Sequence, residues 1–226
     1  MTTTDSFSYA DESRVHRLNT FRDSVYTKYG KRAFDLLFAV LLLPLLLPII
    51  GVVAIFVKRD GGPAFFAHKR VGKDGKEFGC LKLRSMRTDA EEFLEAYLAG
   101  NEEAQREWQA NFKLKDDPRI TKIGKFIRKT SLDELPQIFN VLKGEMSFVG
   151  PRPVPRKELE QYGLAKIAYV AGRPGITGLW QIGGRNDIDY DERIELDLKY
   201  RKEENFKTDV RCIIMTPVKI LKPTGI

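Results

Sequence analysis

The chain has 226 residues, 42% of them hydrophobic, and carries 38 Lys+Arg against 31 Asp+Glu for a formal net charge of +7; that suits one medium domain plus appendages. The basic excess favours an anionic partner, and charge alone leaves nucleic acid, phosphorylated metabolites and an acidic membrane surface open. Cys80 and Cys212 stand far apart with no Cys/His pattern around them, which excludes a disulfide framework or a zinc site of ordinary spacing and suits a reducing cytosolic face.

Residues 1–30 are polar, lack an apolar period and read as an N-terminal arm that is neither signal peptide nor core. Residues 36–57 then carry no charge and reach the roughly 20 residues that a bilayer span requires. Pro44 and Pro48 lie inside the run, where each removes a backbone donor and crowds the preceding turn, so a sharp bend is expected. Lys28, Lys31 and Arg32 precede the run and Lys58 and Arg59 follow it. Basic residues stay on the cytoplasmic side, so a re-entrant hairpin over 31–58 fits as well as a single span.

From Asp60 the chain turns soluble. A turn at Lys73-Asp74-Gly75-Lys76 between short β-like runs predicts a hairpin. Over 88–114, Phe93, Leu94, Tyr97, Leu98, Trp108 and Phe112 recur at helical spacing, broken near Gly100 and Asn101, which predicts two amphipathic helices that pack rather than catalyse. Ile123, Phe126 and Ile127 mark one helical face and Leu135, Ile138, Phe139 and Leu142 another, with Gly144 as a stop. Gly-rich "RPGITGLWQIGGRND" reads as loop. Residues 191–202 are charged around Ile194, Leu196 and Leu198, and 210–221 are apolar, interrupted by Pro217.

Within "KTSLDELPQIFN", Ser131 and Glu134 match the S-x-x-E capping box, and read alone the pattern is a helix cap. Pro136 places Asp133 and Glu134 at or just before a helix start, where negative charge is favoured. The same helix end offers donors to a phosphate, so capping and phosphate chemistry can share it. Adjacent helical residues point about a hundred degrees apart, so the two acids take different roles: one suits attack on phosphorus, the other orientation or help to a divalent cation. Arg128 and Arg152 can each clamp phosphate bidentately, although cations of this kind more often sit solvated on a basic surface.

Taken together, "GGPAFFAHKRVGKDGKEF", "LKLRSM", "DPRITKIGKFIRKTSLDELPQIFNVLKGEMSFVGPRPVP" and "RPGITGLWQIGGRND" resemble, in order, the bacterial sugar transferases, the monotopic polyprenyl-phosphate glycosyl-1-phosphate transferases. The resemblance runs from "KRAFD" at Lys31 to "DVRCIIMTPVKIL", and the short arm looks like the minimal form, close in style and length to rhizobial galactosyl-phosphate transferases of succinoglycan synthesis. It implies an α+β, mainly α fold: a re-entrant membrane helix over 31–58, and a small cytosolic catalytic domain over 59–226 with amphipathic interfacial helices and a short β-hairpin. It also implies transfer of hexose 1-phosphate, galactose first and glucose second, from a UDP-sugar to undecaprenyl phosphate with release of UMP. This is the first membrane step of exopolysaccharide synthesis, on the cytoplasmic face of the bacterial inner membrane.

By the same resemblance Asp133 is the nucleophile, Glu134 assists it, and Mg²⁺ is held with help from Asp133. Arg128 and Arg152 match basic positions assigned to phosphate, with Lys82 and Arg84 as weaker candidates. Pro48, with Pro44 near it, stands where the family's re-entrant helix breaks. Leu47 replaces the serine often found before that proline, so the break is held differently, by Pro44 or by contacts to Lys31, Arg32 and Asp35. His68 stands where glutamine is frequent and reads as a structural polar residue. The implied partners are the two substrates, membrane lipid and downstream glycosyltransferases. The amphipathic C-terminal end suits the membrane or a second copy in a homodimer.

Two other classes compete. One is a membrane-tethered, non-catalytic binding or regulatory module, in which the acids only cap a helix. The other, a nucleic-acid binder, lacks a recognition motif with aromatic interleaving, so no nucleic-acid partner is expected.

Overall fold

The computed structural model describes residues 24–111, 114–183 and 189–221. The arm expected over 1–30 lies outside these up to residue 23; its last part is a π-helical turn, Tyr26–Gly30, that runs directly into helix α1, Lys31–Val57. The chain divides into two compact units: Met1–Pro44, Ala67–Leu81 and Gln137–Ile226 form the first, Leu45–Phe66 and Lys82–Pro136 the second. Helix α1 and the hairpin strands β1, Phe65–Val71, and β2, Glu77–Leu83, therefore each contribute to both.

α1 stays helical through Pro44 and Pro48. It is long and apolar enough to cross a membrane by length and composition. Its exposed side chains are themselves apolar, Leu41 at 74% and Ile55 at 65%, a surface for which lipid rather than water is the matching solvent. The polar residues at its start are not free flanks. Lys31 Nζ lies 2.6 Å from Asp209 Oδ2, Arg32 donates to the Val141 and Leu142 carbonyls at 2.7 and 3.1 Å, and Asp35 accepts from the Ser147 hydroxyl at 2.9 Å and the Phe148 N–H at 3.0 Å. All three side chains are committed to the first unit, so symmetric solvent-facing charge is not what they supply.

The hairpin forms where Asp-Gly predicts it. Asp74 at φ 58° and Gly75 at φ 73° give the left-handed pair that primed turns need, and the Gly72 N–H donates to the Lys76 carbonyl at 2.7 Å. In the first unit, two short strands the sequence does not reveal, β3 (Ser147–Val149) and β4 (Gly175–Thr177), pair in parallel with Ser147 opposite Gly175. Val71, Val154, Leu159, Tyr162 and Tyr169 form a core beside them. Helix α5, Gln137–Lys143, ends at Gly144, whose φ of 85° allows the stop. Asn140, fully buried, ties it to the hairpin by accepting from the Leu81 N–H and donating to the Gly79 carbonyl.

In the second unit the amphipathic segment is two helices, α2 (Ala90–Ala99) and α3 (Glu102–Asn111), parted at Gly100 as the spacing predicts. Helix α4, Lys122–Lys129, buries Ile127 against Val53, Val57, Ala64 and Leu83, while Phe126 is left exposed. Among the described residues the fold is thus mostly helical, with two two-stranded sheets.

Candidate active site

The acidic pair belongs to the second unit, and three local choices of the chain place it. β2 delivers Lys82; Met86 and Ile120 make an antiparallel bridge; and the Thr121 N–H donates to the Ser85 carbonyl, which fixes the entry to α4. Gly124 permits that approach, since a Cβ there would stand 1.9 Å from the Ser85 oxygen. α4 then carries Arg128 to its last turn, and after Ser131 a 3-10 turn, Leu132–Glu134, presents the acids. Leu132 anchors that turn on the core around Val57 and Ile127.

The expected capping box does not form. Ser131 has φ 56° and ψ 19°, and its side chain makes no cap bond. An N-cap needs extended backbone, whereas Ser131 takes the left-handed position that closes a preceding helix, its N–H donating to the Arg128 carbonyl. A left-handed non-glycine residue is strained, and here it sits directly beside the acids. Glu134, released from capping, accepts from Lys82 Nζ at 2.7 Å, and the same ammonium lies 3.8 Å from Asp133 Oδ2.

Asp133 is buried, with 8% of its surface exposed. Burial pushes its carboxyl above the usual range; Lys82 pulls it back, the Glu134 charge raises it again and Arg128 opposes that. Arg128 donates its Nε to the Ser85 hydroxyl at 2.8 Å, and among the described residues its two terminal nitrogens have no hydrogen-bond partner. They remain available to a phosphate; burial lowers the pKa of the guanidinium, and the Asp133 charge partly offsets that. A cleft of about 520 Å³ in this unit, lined by Arg87, Asp89, Arg119 and Thr121 among others, excludes Asp133; its arginines are paired, Arg87 with Asp89 and Arg119 with Asp117.

Lys82, Arg128, Asp133 and Glu134 therefore meet in one cluster, while Arg152 belongs to the first unit, over the Trp180 ring at 5.4 Å. Arg84 is spent within the fold. Its five N–H donors go to Asp60 twice and to the Pro63, Met86 and Val57 carbonyls. Arg84→Met is expected to lower stability by about 2–3 kcal/mol, leaving three carbonyls and a carboxylate short of donors; denaturant melts check this. His68, exposed on β1, has its ring 3.4 Å from Arg70. Sequence reasoning missed Ser85 and Gly124, whose roles rest on contacts with residues some forty positions away.

A divalent cation is the one cofactor to weigh. Among the described residues no three His, Cys, Asp or Glu groups converge on a metal site. Mg²⁺ is commonly held by one or two carboxylates together with substrate phosphates, and the paired acids Asp133 and Glu134 fit that use.

Comparison with known proteins adds an independent line. The family model for bacterial sugar transferases matches residues 26–223. The chain is 44% identical over 220 residues to the undecaprenyl-phosphate galactose phosphotransferase of Salmonella typhimurium, covering 97% of this chain and 46% of that protein. It is 46% identical over 188 residues to the exopolysaccharide production protein ExoY of Rhizobium meliloti, 83% of each, and 39% identical over 202 residues to the undecaprenyl-phosphate glucose phosphotransferase of Komagataeibacter xylinus, 82% of this chain and 35% of that one. The chain thus spans less than half the length of the Salmonella relative.

Proposed function

We propose a phosphoglycosyl transferase activity for this chain, which belongs to the bacterial sugar transferase family: transfer of hexose 1-phosphate from a UDP-sugar to undecaprenyl phosphate, with UMP released, as the first membrane step of exopolysaccharide synthesis. The observation that carries it is the pairing of a buried carboxylate, Asp133, with Lys82 and with an Arg128 whose terminal nitrogens are free to hold phosphate. Galactose is the first candidate, on the named activity of the Salmonella relative, and glucose the second, on that of the Komagataeibacter protein.

In this reading a carboxylate oxygen of Asp133 attacks the sugar-bearing phosphorus of the UDP-sugar. The bond from that phosphorus to the bridging oxygen breaks, and the oxygen leaves with its electron pair as part of UMP. An oxygen of the polyprenyl phosphate then attacks the same phosphorus and the Asp133 carboxylate leaves, giving a polyprenyl diphosphate sugar. Lys82 and Arg128 neutralise charge on the phosphoryl oxygens, and Glu134 holds Lys82 in place. Bound Mg²⁺, held with help from Asp133, would screen the pyrophosphate charge. Arg152, in the first unit, is assigned to phosphate binding by the family resemblance alone.

α1 supplies the meeting place. A re-entrant course, bent at Pro44 and Pro48, keeps both its ends on the cytoplasmic face, where a soluble nucleotide sugar and a lipid phosphate meet. The test is UMP release by detergent-solubilised protein with Mg²⁺ and undecaprenyl phosphate across a panel of UDP-sugars. Release with one hexose is the expected result; none with any donor, from folded protein, would favour a tethered module that does no chemistry.

A further inference from the structure

The cleft of about 520 Å³ in the second unit has the size of a small-molecule site, and its lining is polar apart from Pro118 and Ile120. Each charged side chain in that lining has an opposite partner. Arg87 donates to Asp89 twice, at 2.6 and 2.8 Å, Arg119 pairs with Asp117, and Asp60 pairs with Arg84. Charges balanced in this way do not select an anion. The hydrogen bonds from Arg87 and Arg84 hold the Asp89 and Asp60 carboxyls below their ordinary range, so both are ionised acceptors at neutral pH. Arg87 also lies over the Phe93 ring at 4.2 Å and Arg119 over the Trp108 ring at 5.1 Å, which steadies the two guanidiniums. Neither ring lines the cleft, so neither is offered to a nucleobase for stacking. Planar donors beside ionised acceptors match instead a ring of hydroxyls, each of which both donates and accepts.

The same stretch of backbone that builds the cleft also reaches Arg128. Beside the Met86–Ile120 bridge the Arg87 N–H donates to the Arg119 carbonyl at 3.0 Å, which sets these two residues next to each other. Just before the bridge, the Ser85 carbonyl accepts from the N–H of Thr121, a residue of the cleft wall, at 3.1 Å. The Ser85 hydroxyl accepts from Arg128 Nε at 2.8 Å. One residue therefore joins the cleft to the guanidinium whose terminal nitrogens are free for phosphate.

We propose that this cleft is a subsite for the hexose ring of a sugar phosphate, with Arg87 and Asp89 hydrogen-bonding its hydroxyls while Arg128 takes the phosphate. As the place of the donor's hexose it rests on the transferase reading, and it names the residues that would recognise the sugar.

The test is calorimetric titration of the full-length protein in detergent with galactose 1-phosphate and glucose 1-phosphate, beside UMP and inorganic phosphate. At least one hexose 1-phosphate should bind more tightly than inorganic phosphate. Arg87→Gln and Asp89→Asn should each weaken that binding by about tenfold or more and change UMP binding by less than about twofold. Tm measured on each variant separates lost contacts from lost structure, and Asp89→Asn, which keeps the shape of the side chain, carries the test if Arg87→Gln unfolds. Parent affinity in the variants, inorganic phosphate binding as well as both sugar phosphates, or no binding of either would overturn the subsite. An equal loss of UMP binding would assign the cleft to the nucleoside and overturn it too. No lipid acceptor or nucleotide sugar is present, so the two readings fail separately. A protein that transfers sugar phosphate but gives an overturning result loses only the cleft, whereas one that binds as expected but releases no UMP from any UDP-sugar loses only the transferase reading.

Discussion

Asp133→Asn is expected to release UMP at less than about one-thousandth of the parent rate and to form no covalent phosphosugar adduct, because the amide has no charge with which to attack phosphorus. The parent, mixed with UDP-sugar labelled in the phosphate that bears the sugar and quenched before lipid is added, should carry label that survives denaturation and is lost to hydroxylamine, as an acyl phosphate is. The variant must be shown to fold, and the site makes a signed prediction about that. Burial raises the Asp133 carboxyl above its usual range, so the unfolded chain ionises it at a pH where the folded chain resists. That difference penalises folding as pH rises through the window between the ordinary and the raised value, and the penalty persists above it. Asparagine removes the penalty, so at pH 8 the variant's Tm should be at least that of the parent. A lower Tm together with lost activity would mean a structural acid; undiminished UMP release would remove Asp133 as nucleophile.

Why those acids are legible in the sequence while their setting is not follows from the range of the contacts involved. Lys73–Gly75, the division at Gly100 and the stop at Gly144 are set by backbone preferences of one or two residues, and each stands where the residues place it. The capping box fails because Ser131 serves the helix before it and not the one after. Arg84 and Lys82 share one short string, yet Arg84 turns its five donors on its own fold while Lys82 reaches the acids; alternation would put residues two apart on one face, and they part because β2 ends at Leu83, between them, which the string does not show. β3 and β4, three residues each and paired across an intervening stretch of chain, are too short to show a period. Lys31, Arg32 and Asp35 read as flanks of an apolar run, but all three are bonded to residues at least a hundred positions on.

Lys82→Met should reduce kcat/KM by about a hundredfold and move the acid limb of the pH profile to higher pH, two effects with one cause. The ammonium is the chief influence holding the Asp133 carboxyl down against burial, and the Glu134 charge, no longer paired at 2.7 Å, would push the other way. In the proposed mechanism activity requires ionised Asp133 and is lost as pH falls through its folded-state pKa; raising that pKa narrows the working range from the acid side. Part of the hundredfold loss at pH 7 should therefore return at pH 9, whereas loss of a phosphate contact alone would be equal at both. Adding Glu134→Gln to Lys82→Met discriminates further: with the neighbouring charge gone, the acid limb should move back toward the parent's while maximal activity stays low. A pH profile unmoved by Lys82→Met would confine the lysine to binding phosphate and leave the ionisation of Asp133 to Arg128.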